Sequence, residues 1–139
     1  MATTQYLSNP ALKINGVDLT DQCTNAVVTF TKEQLENTAF GDSARKFTAG
    51  LQNNTITVTL YQSYAAGETE ASIYSLVGTN VDVIVATTTA ALTTPTASAP
   101  KYELVQAYLA SHTPINSSLG ELSTIDLVFA GGALTKSVA

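Results

Sequence analysis

One cysteine, one histidine, one methionine and no tryptophan occur in 139 residues. The lone Cys23 excludes an intrachain disulfide and a thiolate metal cage, and its simplest role is that of a small buried hydrophobe. A single imidazole, His112, excludes a histidine-rich metal cluster. No motif surrounds Cys23 or any serine that would make a nucleophile of it, so His112 reads as an exposed histidine in a turn-rich loop. The acids are scattered; the closest pairs, Asp18/Asp21 and Glu68/Glu70, fit a loop bend and a helix N-terminus without any metal. The glycines follow no phosphate-loop spacing. No catalytic residue, metal site or cofactor is expected, and the chain does not read as an enzyme.

Charge is scarce as well. Six Lys and Arg against 11 Asp and Glu give a net charge of −5, and only 12% of residues are charged. Six dispersed bases cannot neutralise a phosphate track, which disfavours tight nucleic-acid binding. A surface so poor in charge is either coated with Thr, Ser and Asn or given over to neighbouring subunits. No run approaches the roughly 20 apolar residues that a bilayer crossing needs. Residues 1–6 lack the basic and apolar regions of an export signal, so the expectation is a protein kept in a cytoplasm and away from membranes. By length the chain is one domain with one core.

What is abundant is alternation. Thr55-Ile56-Thr57-Val58-Thr59-Leu60-Tyr61-Gln62 has period two, with Ile56, Val58 and Leu60 on one face and three threonines on the other. Residues 25–32 repeat the pattern, with Val28 and Phe30 opposite Thr29 and Thr31. Strands are also expected at 11–14, followed by the hairpin signal Asn15-Gly16, and at 81–86, 101–110 and 121–129. In the strand at 101–110, Tyr102, Leu104 and Tyr108 are expected on one face and Val105, Ala107 and Leu109 on the other. Residues 67–78 read as the single helix: acids in its first turn, Ile73, Leu76 and Val77 on one stripe, and Gly78 as its stop. The Thr/Ala/Pro segment 87–100 reads as an exposed loop. Together these elements predict a mainly all-β fold, an antiparallel β-sandwich or partly open barrel with one short packed α-helix. It spans 11–130, between an N-terminal arm, 1–10, and a C-terminal arm, 131–139.

Residues 33–54 interrupt this pattern. They form a connection too long to be idle in a small domain, and they carry Phe40-Gly41-Asp42-x-x-Arg45-x-Phe47. Gly41 permits a tight bend, Phe40 and Phe47 are apolar anchors, and Asp42 can pair with Arg45 or Lys46, within the loop or across to a neighbour. The same residues could equally fold back as internal staples.

The order Thr38-x-Phe40-Gly41-Asp42-x-x-Arg45-x-Phe47-x-x-Gly50-Leu51, the strand closing on Gln62-x-Tyr64, the short helix with Leu76-x-Gly78-Thr79, and the late Leu119-Gly120-Glu121-Leu122 resemble the major tail (tail tube) protein of long, non-contractile-tailed bacteriophages. The resemblance covers about 15–134 and leaves 87–100 unmatched. It implies a structural virion protein whose β-sandwich closes into hexameric rings, stacked into a hollow tube that conducts DNA. The long loop would reach the adjoining subunit or ring through Leu35, Phe40, Asp42, Arg45 and Phe47. Thr29, Thr31, Thr55, Thr57 and Thr59 would face the lumen, and both arms would help rings stack. The implied partners are further copies of the chain, other tail proteins (tape measure, tail tip, terminator), and DNA in passage without specific binding. The implied location is the virion tail, after assembly in the host cytoplasm. The rival reading is a β-sandwich binding module, an adhesin or virion decoration domain, with the threonine face as its ligand face.

Overall fold

The computed structural model describes residues 10–66, 68–116 and 119–138; most of the expected N-terminal arm, 1–9, lies outside them. The strands are β1 (Ala11–Ile14), β2 (Val17–Asp18), β3 (Cys23–Thr29), β4 (Lys32–Glu36), β5 (Phe47–Gln52), β6 (Thr55–Tyr61), β7 (Asn80–Ala86), β8 (Lys101–Leu109), β9 (Thr124–Ala130) and β10 (Ala133–Ser137). The helix α1 (Thr69–Ile73) lies between β6 and β7 and runs into a 3-10 turn, Tyr74–Leu76. Asn15 and Gly16 both have positive φ, 52° and 81°, as a two-residue hairpin between β1 and β2 requires.

Eight strands form one antiparallel sheet in the order β2-β1-β7-β8-β9-β6-β3, with β10 added on β8. Leu12 and Ile14 of β1 share a buried cluster with Ile56, Val58 and Leu60 of β6, although four strand steps separate β1 from β6 in the sheet. A flat sheet would hold them about 19 Å apart. The sheet therefore curls over its own apolar face, and Ile73 and Leu76 from the helical segment join the same core. Ile56, Val58 and Leu60 are fully buried, each stabilising the fold by about 1.5–3 kcal/mol.

Strand β8 is where the sheet divides. Along one edge it pairs with β7; along the other, 101–105 pair with β10 and 108–109 with β9. Gln106 marks the fork, with φ at +64° and its N–H donating to Asp82 Oδ1 at 3.1 Å. The irregularity shifts the register between Val81 and Val83 and corrects the expected faces of this strand. Leu104, Ala107 and Leu109 are all buried, because one extra residue between 104 and 107 switches which parity points inward.

Four further expectations are revised. The C-terminal arm is not a loose tail, since Ala133–Ser137 is a strand of the sheet. Segment 87–100 is only partly exposed: it contains a 3-10 turn, Ala90–Leu92, and Ala91 and Leu92 pack with Ala11 and Ala86 in a second small cluster. The helix is shorter than 67–78 and ends at Ile73. Residues 33–54 are chiefly a β-hairpin, β4 with β5, outside the main sheet.

Candidate assembly surfaces

The outward face of β3, β6 and β9 follows from the pairing register. Across β3, β6 and β9 in turn, Asn25, Thr59 and Asp126 stand in one row, Val27, Thr57 and Val128 in the next, and Thr29, Thr55 and Ala130 in a third. Thr55, Thr57 and Thr59 are half-buried, since β6 is flanked on both sides, whereas Thr29 on the edge strand is exposed. Thr31 lies beyond the end of β3, and its hydroxyl donates to the Asn53 carbonyl at the base of the hairpin. The face holds no Lys or Arg among these positions. Its single charge is Asp126, which the sequence reading did not single out; its Oδ1 accepts the Thr59 hydroxyl at 2.7 Å. Only the β9 register, opposite the threonine strand, could have pointed to it.

The hairpin β4–β5 is almost wholly exposed; in its two strands only Gly50 is half-buried. Leu35 faces Thr48 and Phe47 faces Glu36, so adjacent ladder positions put Leu35 on one side of the ribbon and Phe47 on the other. Leu35, Phe47 and Leu51 remain 45%, 48% and 79% exposed, and Phe40 at the tip is fully exposed. Gly41, with φ at +92°, turns the chain just after it. Asp42 is engaged within the tip: it accepts the Ala39 N–H at 2.8 Å and pairs with Lys46 at 2.9 Å. The Ala39 amide, followed by Lys46, holds this carboxyl below its ordinary value. Arg45 stays exposed, 3.9 Å from Glu36.

Asn54 joins the hairpin to the domain. It is fully buried, its Nδ2 donating to Gln52 Oε1 at 2.9 Å and to the Gly132 carbonyl at 3.2 Å, while its own carbonyl accepts the Gly131 N–H at 3.0 Å. In the sequence it is one of two adjacent asparagines in a turn signal, and nothing local distinguishes it.

The two odd residues of the composition also differ from expectation. His112 is not exposed: its side chain is 2% exposed and its Nε2 donates to Glu70 Oε2 at 2.7 Å. That contact fastens the segment after β8 to α1. Cys23 is half-buried at the edge of the sheet, and burial pushes its thiol pKa up. Among the described residues no group of three or more His, Cys, Asp or Glu could hold a metal ion, and no helix is long and apolar enough to cross a membrane.

The fold is all-β, and solved chains from phage-like particles and an injection system share it. A chain of the native gene transfer agent virion superposes with a TM-score of 0.71 at 14% identity, covering 97% of this chain and 100% of that one. A chain of the tube-terminating cap of the anti-feeding prophage gives 0.69 at 12% identity, covering 100% and 96%. A chain of the sheath–tube complex of an extracellular contractile injection system gives 0.67 at 8% identity, covering 96% and 91%. No family model and no curated protein matches the sequence.

Proposed function

We propose that this protein is a structural subunit of a tail tube: six copies close into a ring, and rings stack into a hollow tube through which DNA passes. The observation that carries this reading is the hairpin. An isolated two-stranded ribbon is marginal in water, and this one exposes apolar side chains on both faces and at its tip. Such a ribbon gains a stable setting when another subunit covers it. Having apolar groups on both sides suits it to a place between two neighbours, one in the same ring and one in the next. Leu35, Phe40, Arg45 and Phe47 are the proposed contacts, with Asp42 fixing the tip that presents them.

The face of β3, β6 and β9 is the proposed lumen wall, carrying Thr29, Thr55, Thr57 and Thr59. A ring of six would add six Asp126 carboxylates and no cation from these positions, so a passing polyanion finds hydroxyls and weak repulsion. Thr31, bonded at the hairpin base, contributes less to this wall than its sequence position implies. Ring closure would also cover the free edge of β3. The protein is proposed to act without catalysis or cofactor, in a virion tail reached from the host cytoplasm, beside tape-measure, tip and terminator proteins. The sequence resemblance favours a long non-contractile tail. The fold alone does not select that class, because a contractile injection system supplies one of its likenesses.

Negative-stain microscopy and light scattering over a rising concentration series test the proposal. Rings that stack into tubes are the expected result. A protein that stays a monomer or a small fixed oligomer at every concentration would favour the binding-module reading. Rings that never stack would assign a terminator rather than the repeating subunit.

A further inference from the structure

The curled sheet does not close completely. Between β1 and β7 on one side and β3 on the other lies a cleft of about 340 Å³, lined by Leu12, Cys23, Val28, Val85, Ala86 and Tyr102 among others. Thr20 lines this cleft and also a shallow hollow that it shares with Asp18 and Asp21. The cleft thus has a mostly apolar lining, with Thr24, Asn25 and Thr87 among its polar members, and two carboxylates stand in the hollow next to it, across Thr20. The hydroxyl and the N–H of Thr20 both donate to Asp18 and hold its carboxyl below its ordinary value.

The hairpin tip has the complementary form. Phe40 is fully exposed and so packs against nothing among the described residues. Lys46 is already paired with Asp42, whereas Arg45 is 79% exposed and only loosely placed against Glu36. The tip therefore offers one aromatic knob and one weakly engaged cation. A cavity of about 150 Å³ is enough to accept benzene, so the cleft has room for the phenyl ring of Phe40.

The geometry points to a knob-in-cleft contact between copies: Phe40 of one subunit enters the cleft beside β3 of the next, and Arg45 meets Asp18 and Asp21 in the hollow next to it. The occupant is a second copy of this chain, selected by the match of a cation and an aromatic to a mostly apolar cleft with two acids beside it. The contact is heterologous, tip to cleft, and such contacts close into rings or run on as filaments. It rests on the tube reading and supplies the docking site which that reading leaves unnamed.

Cys23, the only native cysteine, lines the cleft and makes the test direct. Ala39→Cys places a second thiol beside Phe40 while keeping the ring. Assemblies of this variant, first verified by microscopy, are treated with a short bis-maleimide and run on a denaturing gel. A ladder from dimer to closed ring is expected, because each chain then carries one thiol at the knob and one at the cleft. The Cys23→Ala, Ala39→Cys control should give nothing beyond dimer. Intact rings without a ladder would overturn the docking site but leave the tube reading standing; a wild-type chain that never assembles would overturn the tube reading itself. Independently, Arg45→Glu should lower ring yield about tenfold, the loss expected for a true contact residue, and Asp21→Arg in the same chain should restore it. Failure of that rescue, with Asp21→Arg alone assembling normally, would count against the Arg45 contact.

Discussion

At Gly132 an added methyl group would lie 2.1 Å from the Val105 carbonyl oxygen, and φ is +76°. Both facts follow from the fork in β8, where β9 must give way to β10 within two residues. Gly132→Ala is expected to cost about 2–4 kcal/mol in urea unfolding, combining left-handed strain with a backbone clash. Gly120 offers the comparison, since its φ is +86° but a methyl group added there would meet nothing within 4 Å. Gly120→Ala should cost only about 1–2 kcal/mol, and equal losses at the two sites would remove the close approach from the explanation. Asp42 provides a pH signature. Its carboxyl is held below its ordinary value in the folded tip, so its contribution is present above that ordinary value and is lost as pH falls through the depressed one. The Ala39 amide resonance should therefore hold steady from neutral pH down to the ordinary carboxylate range and move only below it. Movement centred at or above that range would show that the tip is not fixed in this way.

Among the elements, the hairpin is the one whose removal from contact should leave the subunit intact. Phe40→Ala with Arg45→Ala should leave circular dichroism and thermal melting of the subunit nearly unchanged, since neither side chain touches the core, while sedimentation shows association weakened by tenfold or more. Unfolding of the monomeric double variant would make the tip an internal staple instead. Sequence periodicity revealed β6 because Ile56, Val58 and Leu60 all point into one core and leave the threonines outside. It missed β4 and β5 because a ribbon without a buried face has no apolar alternation to display. It misjudged the faces of β8 for another reason: Gln106 adds a residue that only the opposing Asp82 and Gly132 make necessary. His112 was hidden because its partner, Glu70, lies 42 residues earlier in the chain. Of the candidate site, the aromatic and charged residues were legible one by one. Which of them stand outward and which, like Asp42, are held locally was decided by turn geometry.

For the whole molecule, the composition and the fold agree on a surface with little charge of its own and several apolar places uncovered. The proposed lumen face can be tested by giving it the charge it lacks. Thr57→Lys lies on a half-buried position of the outward face, where a long side chain can reach solvent, so the fold should persist within about 0.5 kcal/mol. Tubes built from this variant are expected to retain DNA in filter binding, with retention falling steeply as salt is raised. Tubes that retain no more DNA than wild type would place the threonines on the outside.

The ribbon of β4 and β5 has a further consequence in time. Its amides belong to a two-stranded ladder over which no layer lies among the described residues, whereas those of β6 are held between β3 and β9 above the buried core. Hydrogen exchange should therefore be fast in the ribbon and slow in β6, two clocks within one subunit. A free subunit would then meet its neighbour with an arm that still fluctuates and comes to rest only on contact. If the chain assembles as proposed, part of the entropy of folding would be deferred to that moment, which would temper affinity while subunits are dilute and let a growing end correct a misplaced arm before the next subunit covers it.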